Sequence, residues 1–154
     1  MRSKLRDFLK GKVAIVGIGN MLKGDDQAGP VLVQRLKGKT KAFLFDCGEV
    51  PENYAQPIVK SSPDTILIID AADWQAEAGN IKLIEPKEVV NFGFSTHNAS
   101  LRFFFDYLKK ELPQVNIALV GIQIGQKGLG NPLSKEVELA VDNLVSILSD
   151  SGLS

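Results

Sequence analysis

The side chains in this sequence best suited to hold a cation or move a proton are Asp25, Asp26, Asp46, Asp70, Asp73 and its one histidine, His97. One imidazole with two carboxylates suits a divalent transition metal and leaves coordination positions open for water or a substrate group. A closed structural zinc site would draw on thiolates instead, and Cys47 is the only cysteine. There is no HExxH and no CxxC, so spacing alone does not name the metal. Each residue also has a plainer reading. Asp26 suits the first turn of a helix, where an acid stabilises by about 1 kcal/mol. Asp46 and Asp70 suit loop capping, and a lone histidine is commonly a surface or capping residue. The shared site is favoured by where the surrounding elements bring these residues.

Three apolar runs, VAIVGI (13–18), TILIID (65–70) and NIALVGI (116–122), are continuous, as expected of strands covered on both faces. KAFLFD (41–46) is a shorter strand of the same kind. Helical patterns lie between them, at 27–37, 98–111 and 133–149. In the second, Leu101, Phe104, Phe105 and Leu108 share one side; in the third, Val137, Val141, Leu144 and Leu148 form an apolar stripe. Strands alternating with helices predict crossover units. The run 79–86 follows 65–70 too soon for a crossover helix, so it is read as a hairpin-like antiparallel strand. The expected fold is a three-layer αβα sandwich. Its twisted sheet has five strands, mostly parallel with one antiparallel, in one domain spanning 1–154.

Ligands of open α/β sheets gather outside the carboxyl ends of the parallel strands. Here strand 41–46 ends in Asp46, strand 65–70 ends in Asp70 with Asp73 just beyond, and Asp25 and Asp26 follow strand 13–18 where a helix begins. His97 precedes helix 98–111, in a loop that can return to the same edge, with Ser95, Thr96 or Asn98 available as caps. Carboxylates gathered at one edge repel each other, and a cation relieves that repulsion.

Other motifs point away from rival chemistries. Gly17, Gly19 and Gly24 do not give the dinucleotide G-x-G-x-x-G, Asp25 and Asp26 would oppose a pyrophosphate, and no Gly-Lys-Ser/Thr follows. Gly17 and Gly19, with Gly48, are read as sharp backbone turns beside a ligand. Cys47 is read as a buried or half-buried inert thiol, since the one histidine that might serve as its base is assigned elsewhere. For Trp74 two readings stand, a groove wall or a cover for the core.

Lys and Arg total 18 and Asp and Glu total 18, so the basic excess that a nucleic-acid binder needs is missing. A single thiol fits a reducing cytoplasm. Residues 1–12 lack the apolar core of a signal peptide, and no stretch approaches the ~20 apolar residues of a membrane span. The segment is expected to be a short extension packed by Leu5, Phe8 and Leu9.

The stretches VGIGNMLKGDDQAGP (16–30), FDCGEVPEN (45–53), ILIIDAAD (66–73), STHN (95–98) and VGIQ (120–123) resemble the hydrogenase maturation endopeptidases. Those enzymes trim the C-terminal tail of the large subunit of nickel–iron hydrogenases; PEN after the second glycine turn is similar to the formate-hydrogenlyase-type branch. Carried over position by position, the resemblance implies metal ligands at Asp26, Asp70 and His97 and an important acid at Asp46. Aspartate at 26 stands where many relatives have glutamate, and Cys47 where many have glycine. The resemblance also implies a monomer acting on the large-subunit precursor, with nickel carried by that precursor and the cut made near its last cysteine motif. Zinc or another divalent ion is a candidate for the site at rest. Water activation by the metal and general-base help from Asp46 both stay open. Two other classes compete with an endopeptidase: a non-catalytic metal-binding or chaperone module, and a small-molecule hydrolase on a similar sheet.

Overall fold

The computed structural model describes residues 1–96, 98–125 and 128–150. The chain begins with helix α1 (Arg2–Phe8), followed by β1 (Val13–Gly17), α2 (Ala28–Leu36), β2 (Phe43–Asp46), α3 (Ala55–Lys60) and the long β3 (Thr65–Asp73). Next come β4 (Ile81–Ile84), the two-residue β5 (Gly93–Phe94), α4 (Asn98–Glu111), β6 (Asn116–Gln123) and α5 (Lys135–Leu148). Short 3-10 turns at Gly24–Gln27, Pro51–Tyr54 and Pro86–Asn91 lead into or link these elements.

The main sheet runs β2-β1-β3-β6-β4, with β5 attached to the far end of β3. β2, β1, β3 and β6 are parallel; β4 and β5 are antiparallel to their neighbours. The five-strand path and its mostly parallel sense agree with the sequence reading, and the short β5 makes a sixth strand. One connection needs correction. Residues 81–84 are antiparallel as expected, but they do not form a hairpin with β3; they pass over β6 and pair with it, Ile81 opposite Ile122 and Ile84 opposite Leu119. The physical reason lies in the two strands' patterns. β6 is buried along all of its length but Asn116, so it needs a neighbour on each side, whereas β4 alternates and exposes Lys82, as an edge strand does.

Because side chains alternate across a strand, each continuous apolar run feeds two cores. Ile15, Leu67, Ile69, Val120 and Ile122 pack with α2 and α5, whereas Val16, Ile66, Ile68 and Leu119 pack with α3 and α4. The predicted stripe of α5 is fully buried at Val137, Val141, Leu144 and Leu148. Each such side chain contributes about 1.5–3 kcal/mol relative to exposure. Arg35 of α2 reaches Glu138 at 2.7 Å and Asp142 at 2.8 Å on α5. Those partners are 41% and 57% exposed, so the pairs set helix register more than they stabilise. α1 seals the lower edge of the α2–α5 core with Leu5, which is wholly buried, and Phe8 and Leu9 pack beside it. No helix among the described residues is long and apolar enough to cross a membrane.

Candidate active site

Asp70 lies near the carboxyl end of β3 and is completely buried. The register sets it opposite Gly121 of β6, whose missing side chain lets Ile84 and Trp74 pack close, since a Cβ there would lie 3.3 Å from Ile84 Cδ1 and 3.4 Å from Trp74 Cζ3. Ser95, just beyond β5, donates its hydroxyl to Asp70 Oδ1 at 2.5 Å. Oδ2 is also buried and has no hydrogen-bond partner among the described residues. Burial pushes the Asp70 carboxyl up to about 8; the Ser95 hydroxyl and the backbone N–H groups of Thr96 and Ala71 pull against that shift, and the charge of Asp26 adds to it. A buried carboxylate with one oxygen held and one oxygen unclaimed is a donor awaiting a cation or a proton.

Asp26 is half-buried in the 3-10 turn that precedes α2. It reaches the strand edge because α2 sits flush on β1. A Cβ on Gly29 would lie 2.3 Å from Ile18 O and 2.6 Å from Ile69 O, and one on Gly17 would lie 2.5 Å from Gly29 O. Only glycines permit that approach. Gly19, at φ +155°, then turns the chain so that Asn20 N–H donates to Asp26 O at 2.9 Å. Gly19 and Gly48 turn the backbone at positive φ, as expected, whereas Gly17 lies within β1 and, with Gly29, allows helix-to-strand contact instead.

The neighbouring acid has a different task. Asp25 is fully buried and accepts from Gly125 N at 2.7 Å, Ser134 N at 2.7 Å and Ser134 Oγ at 2.8 Å. It clasps the loop after β1 to the loop after β6 and to the start of α5. One acid of the Asp-Asp pair therefore faces the interior and the other the sheet edge.

Asp46 ends β2, half-buried, and accepts from Gly48 N at 3.3 Å. Gly17 is level with both Asp46 and Ile69, which places Asp46 two strands from β3, roughly 10 Å at ordinary strand spacing. By the same alternation Asp46 shares the side of Ile69, the α2 and α5 side, whereas Asp70 faces α4. The charge of Asp26 thus acts on Asp70, whereas Asp46 is set apart across β1. Asp73 is exposed and ties a turn, accepting from Gln75 N at 3.0 Å and Gln123 Nε2 at 3.1 Å. His97 lies outside the described residues. Among the described residues no group of three His, Cys, Asp or Glu stands close enough to hold an ion.

Cys47 is buried, and burial with the adjacent Asp46 charge pushes its thiol up to about 12, as an inert thiol requires. Trp74 is half-buried and packs edge-on against Phe92, ring centroids 5.6 Å apart, so it covers the α4-side core. Two site residues escaped the sequence reading. Ser95 was expected only as a helix cap. Gln123, buried at the end of β6, accepts from Trp74 N at 2.9 Å and Ala76 N at 3.2 Å, and so shapes the turn after β3. A polar residue closing an otherwise apolar strand was the available signal.

A family model, HycI, described as hydrogenase maturation protease, matches residues 30–151. The chain belongs to the hydrogenase maturation protease family. A Methanocaldococcus jannaschii protein that carries that family name provisionally is 38% identical over 160 residues, covering 96% of this chain and 94% of its own. The hydrogenase 3 maturation protease of Escherichia coli K12 is 32% identical over 130 residues, 82% of each chain. Among solved structures, the crystal structure of a nickel–iron hydrogenase maturation protease HycI from Thermococcus kodakarensis has a TM-score of 0.86 at 30% identity. It covers 98% of this chain and 99% of that one. The family is one of peptidases, which favours peptide-bond hydrolysis over a non-catalytic module or a small-molecule hydrolase.

Proposed function

We propose that this chain removes the C-terminal extension of a nickel–iron hydrogenase large-subunit precursor after nickel has been inserted. The observation that carries this reading is the unclaimed oxygen of buried Asp70 beside the charge of Asp26. Carboxylates whose charges act on each other at one strand edge are relieved by a cation. On this reading the cation is the precursor's own nickel, with Asp26, Asp70 and His97 completing its coordination and seating the scissile bond next to it. Zinc or another divalent ion takes the same donors in the absence of substrate. A divalent cation at such a site polarises the carbonyl or lowers the pKa of water. The attacking water is activated either by that cation or by general-base help from a carboxylate; Asp46, set across β1 on the other face of the sheet, is the candidate for the second route. The chain is proposed to act as a cytoplasmic monomer.

The test is incubation with nickel-loaded and nickel-free precursor, followed by mass spectrometry of the new C-terminus. Loss of the tail from the loaded form alone is expected. Equal cleavage of both forms refutes nickel recognition. His97→Ala should abolish cleavage and leave the thermal transition in place.

A further inference from the structure

Large apolar side chains stand exposed on the same loops that surround the acids. Leu129 is 76% exposed, Leu22 67%, Met21 43% and Val50 41%. They come from three loops, after β1, β2 and β6, and those loops are fastened to one another. Gly130 N–H donates to Leu22 O at 2.8 Å, Lys23 and Leu129 form an antiparallel bridge, and Asn20 Nδ2 donates to Glu49 Oε1 at 3.1 Å. Gly19 N–H donates to Gly48 O at 2.9 Å, closing the seam between the first two loops. Strand order places Asp70 between the β1 and β6 loops.

We propose that Met21, Leu22, Val50 and Leu129 form an apolar rim that seats the nonpolar protein surface immediately around the cation-bearing centre of the precursor. The inference rests on the function proposed above and adds a docking surface to it. The occupant follows from charge complementarity. The same loops carry half-buried Asp26 and Asp46 and adjoin the strand that holds wholly buried Asp70, so a partner that reaches these acids must bring positive charge at its middle and apolar groups at its margin. A bare ion or a short polar peptide meets the acids and leaves the rim in water. A folded precursor meets both, which gives the site a means of choosing a protein over a free metal ion.

The double variant Leu22→Ser/Leu129→Ser tests this, with Val50→Ser as an independent second variant and Leu139→Ser on α5, 62% exposed, as a control of similar exposure. Cleavage kinetics on nickel-loaded precursor are measured beside calorimetric Zn2+ binding to the chain alone and thermal melting. The double variant should raise KM at least tenfold with kcat within twofold, Val50→Ser should raise KM in the same direction, and Zn2+ affinity and melting should not change. Leu139→Ser should match the unaltered chain. Wild-type KM in the double variant, or an equal loss in Leu139→Ser, overturns the rim. If the unaltered chain leaves the tail intact, the proposed function falls, and the rim is judged on precursor binding by calorimetry. Tight binding lost in the double variant upholds it; equal or absent binding overturns it.

Discussion

The Ser95 hydroxyl donates to one oxygen of Asp70 at 2.5 Å while the other oxygen has no hydrogen-bond partner among the described residues. Ser95 thereby fixes which oxygen is offered. It also pins the segment before α4, since Ser95 N–H donates to Ala71 O at 3.1 Å. Ser95→Ala should lower kcat by about 10- to 100-fold, corresponding to about 1.4–2.7 kcal/mol, while the chain stays folded. Ser95→Thr, which keeps the hydroxyl, should recover most of the rate. Kinetics of the two variants side by side check this, and equal defects would show that the hydroxyl does not matter.

Asp70 makes the metal-free fold sensitive to pH. Its carboxyl is raised from 3.8 to about 8, so between those values the folded chain keeps a proton that the unfolded chain has released. Rising pH therefore favours unfolding: this group's contribution is full below about pH 4 and is lost as pH passes 8. Melting of metal-free protein should fall from pH 5 to pH 8.5, and Asp70→Asn should flatten the slope. At the alkaline end that variant should be more stable by about 1–2 kcal/mol, or roughly 2–8 °C, and inactive. Divalent metal should raise the melting temperature more at pH 8 than at pH 5, because binding needs the carboxylate.

Asp25 should matter to stability more than to chemistry. Asp25→Ala strands two backbone N–H groups and the Ser134 hydroxyl that it now receives. A cost of about 2–4 kcal/mol is expected in denaturant melts. Hydrogen exchange should rise first in residues 20–27 and 128–134, which the clasp joins. Uniform loss of protection across the sheet would contradict that local role.

Cys47 should be silent. A buried thiol raised to about 12 has little thiolate at neutral pH. Iodoacetamide at pH 8 should label the native chain far more slowly than the unfolded one, and Cys47→Ala should cleave precursor normally. Rapid native labelling together with loss of activity would revive a cysteine nucleophile.

Most of the fold was readable because the strands are long apolar runs and the helices carry regular stripes; α4 occupies the predicted 98–111. The partner of β4 was not readable, since a short loop suggests a hairpin whether or not a later strand inserts between the two. Asp26 and Asp70 were legible as acids at strand ends, and the charge of Asp26 contributes to the electrostatics of Asp70. The division of labour between Asp25 and Asp26 was hidden, because adjacent identical residues differ only in the direction the turn gives them. Ser95 was hidden because a serine before a helix is ordinarily a cap. Its partner lies 25 residues earlier, on a strand that the pairing of β5 brings beside it.

The seam where Gly17 meets Gly29 bears on how this protein can change over time. Two positions that touch neither substrate nor ion set the spacing between the charges that do. Adding a single methyl there would lift the helix start away from the strand and part the acids, with every chemically active group still in the sequence. Function in this chain is thus exposed to loss through its smallest residues.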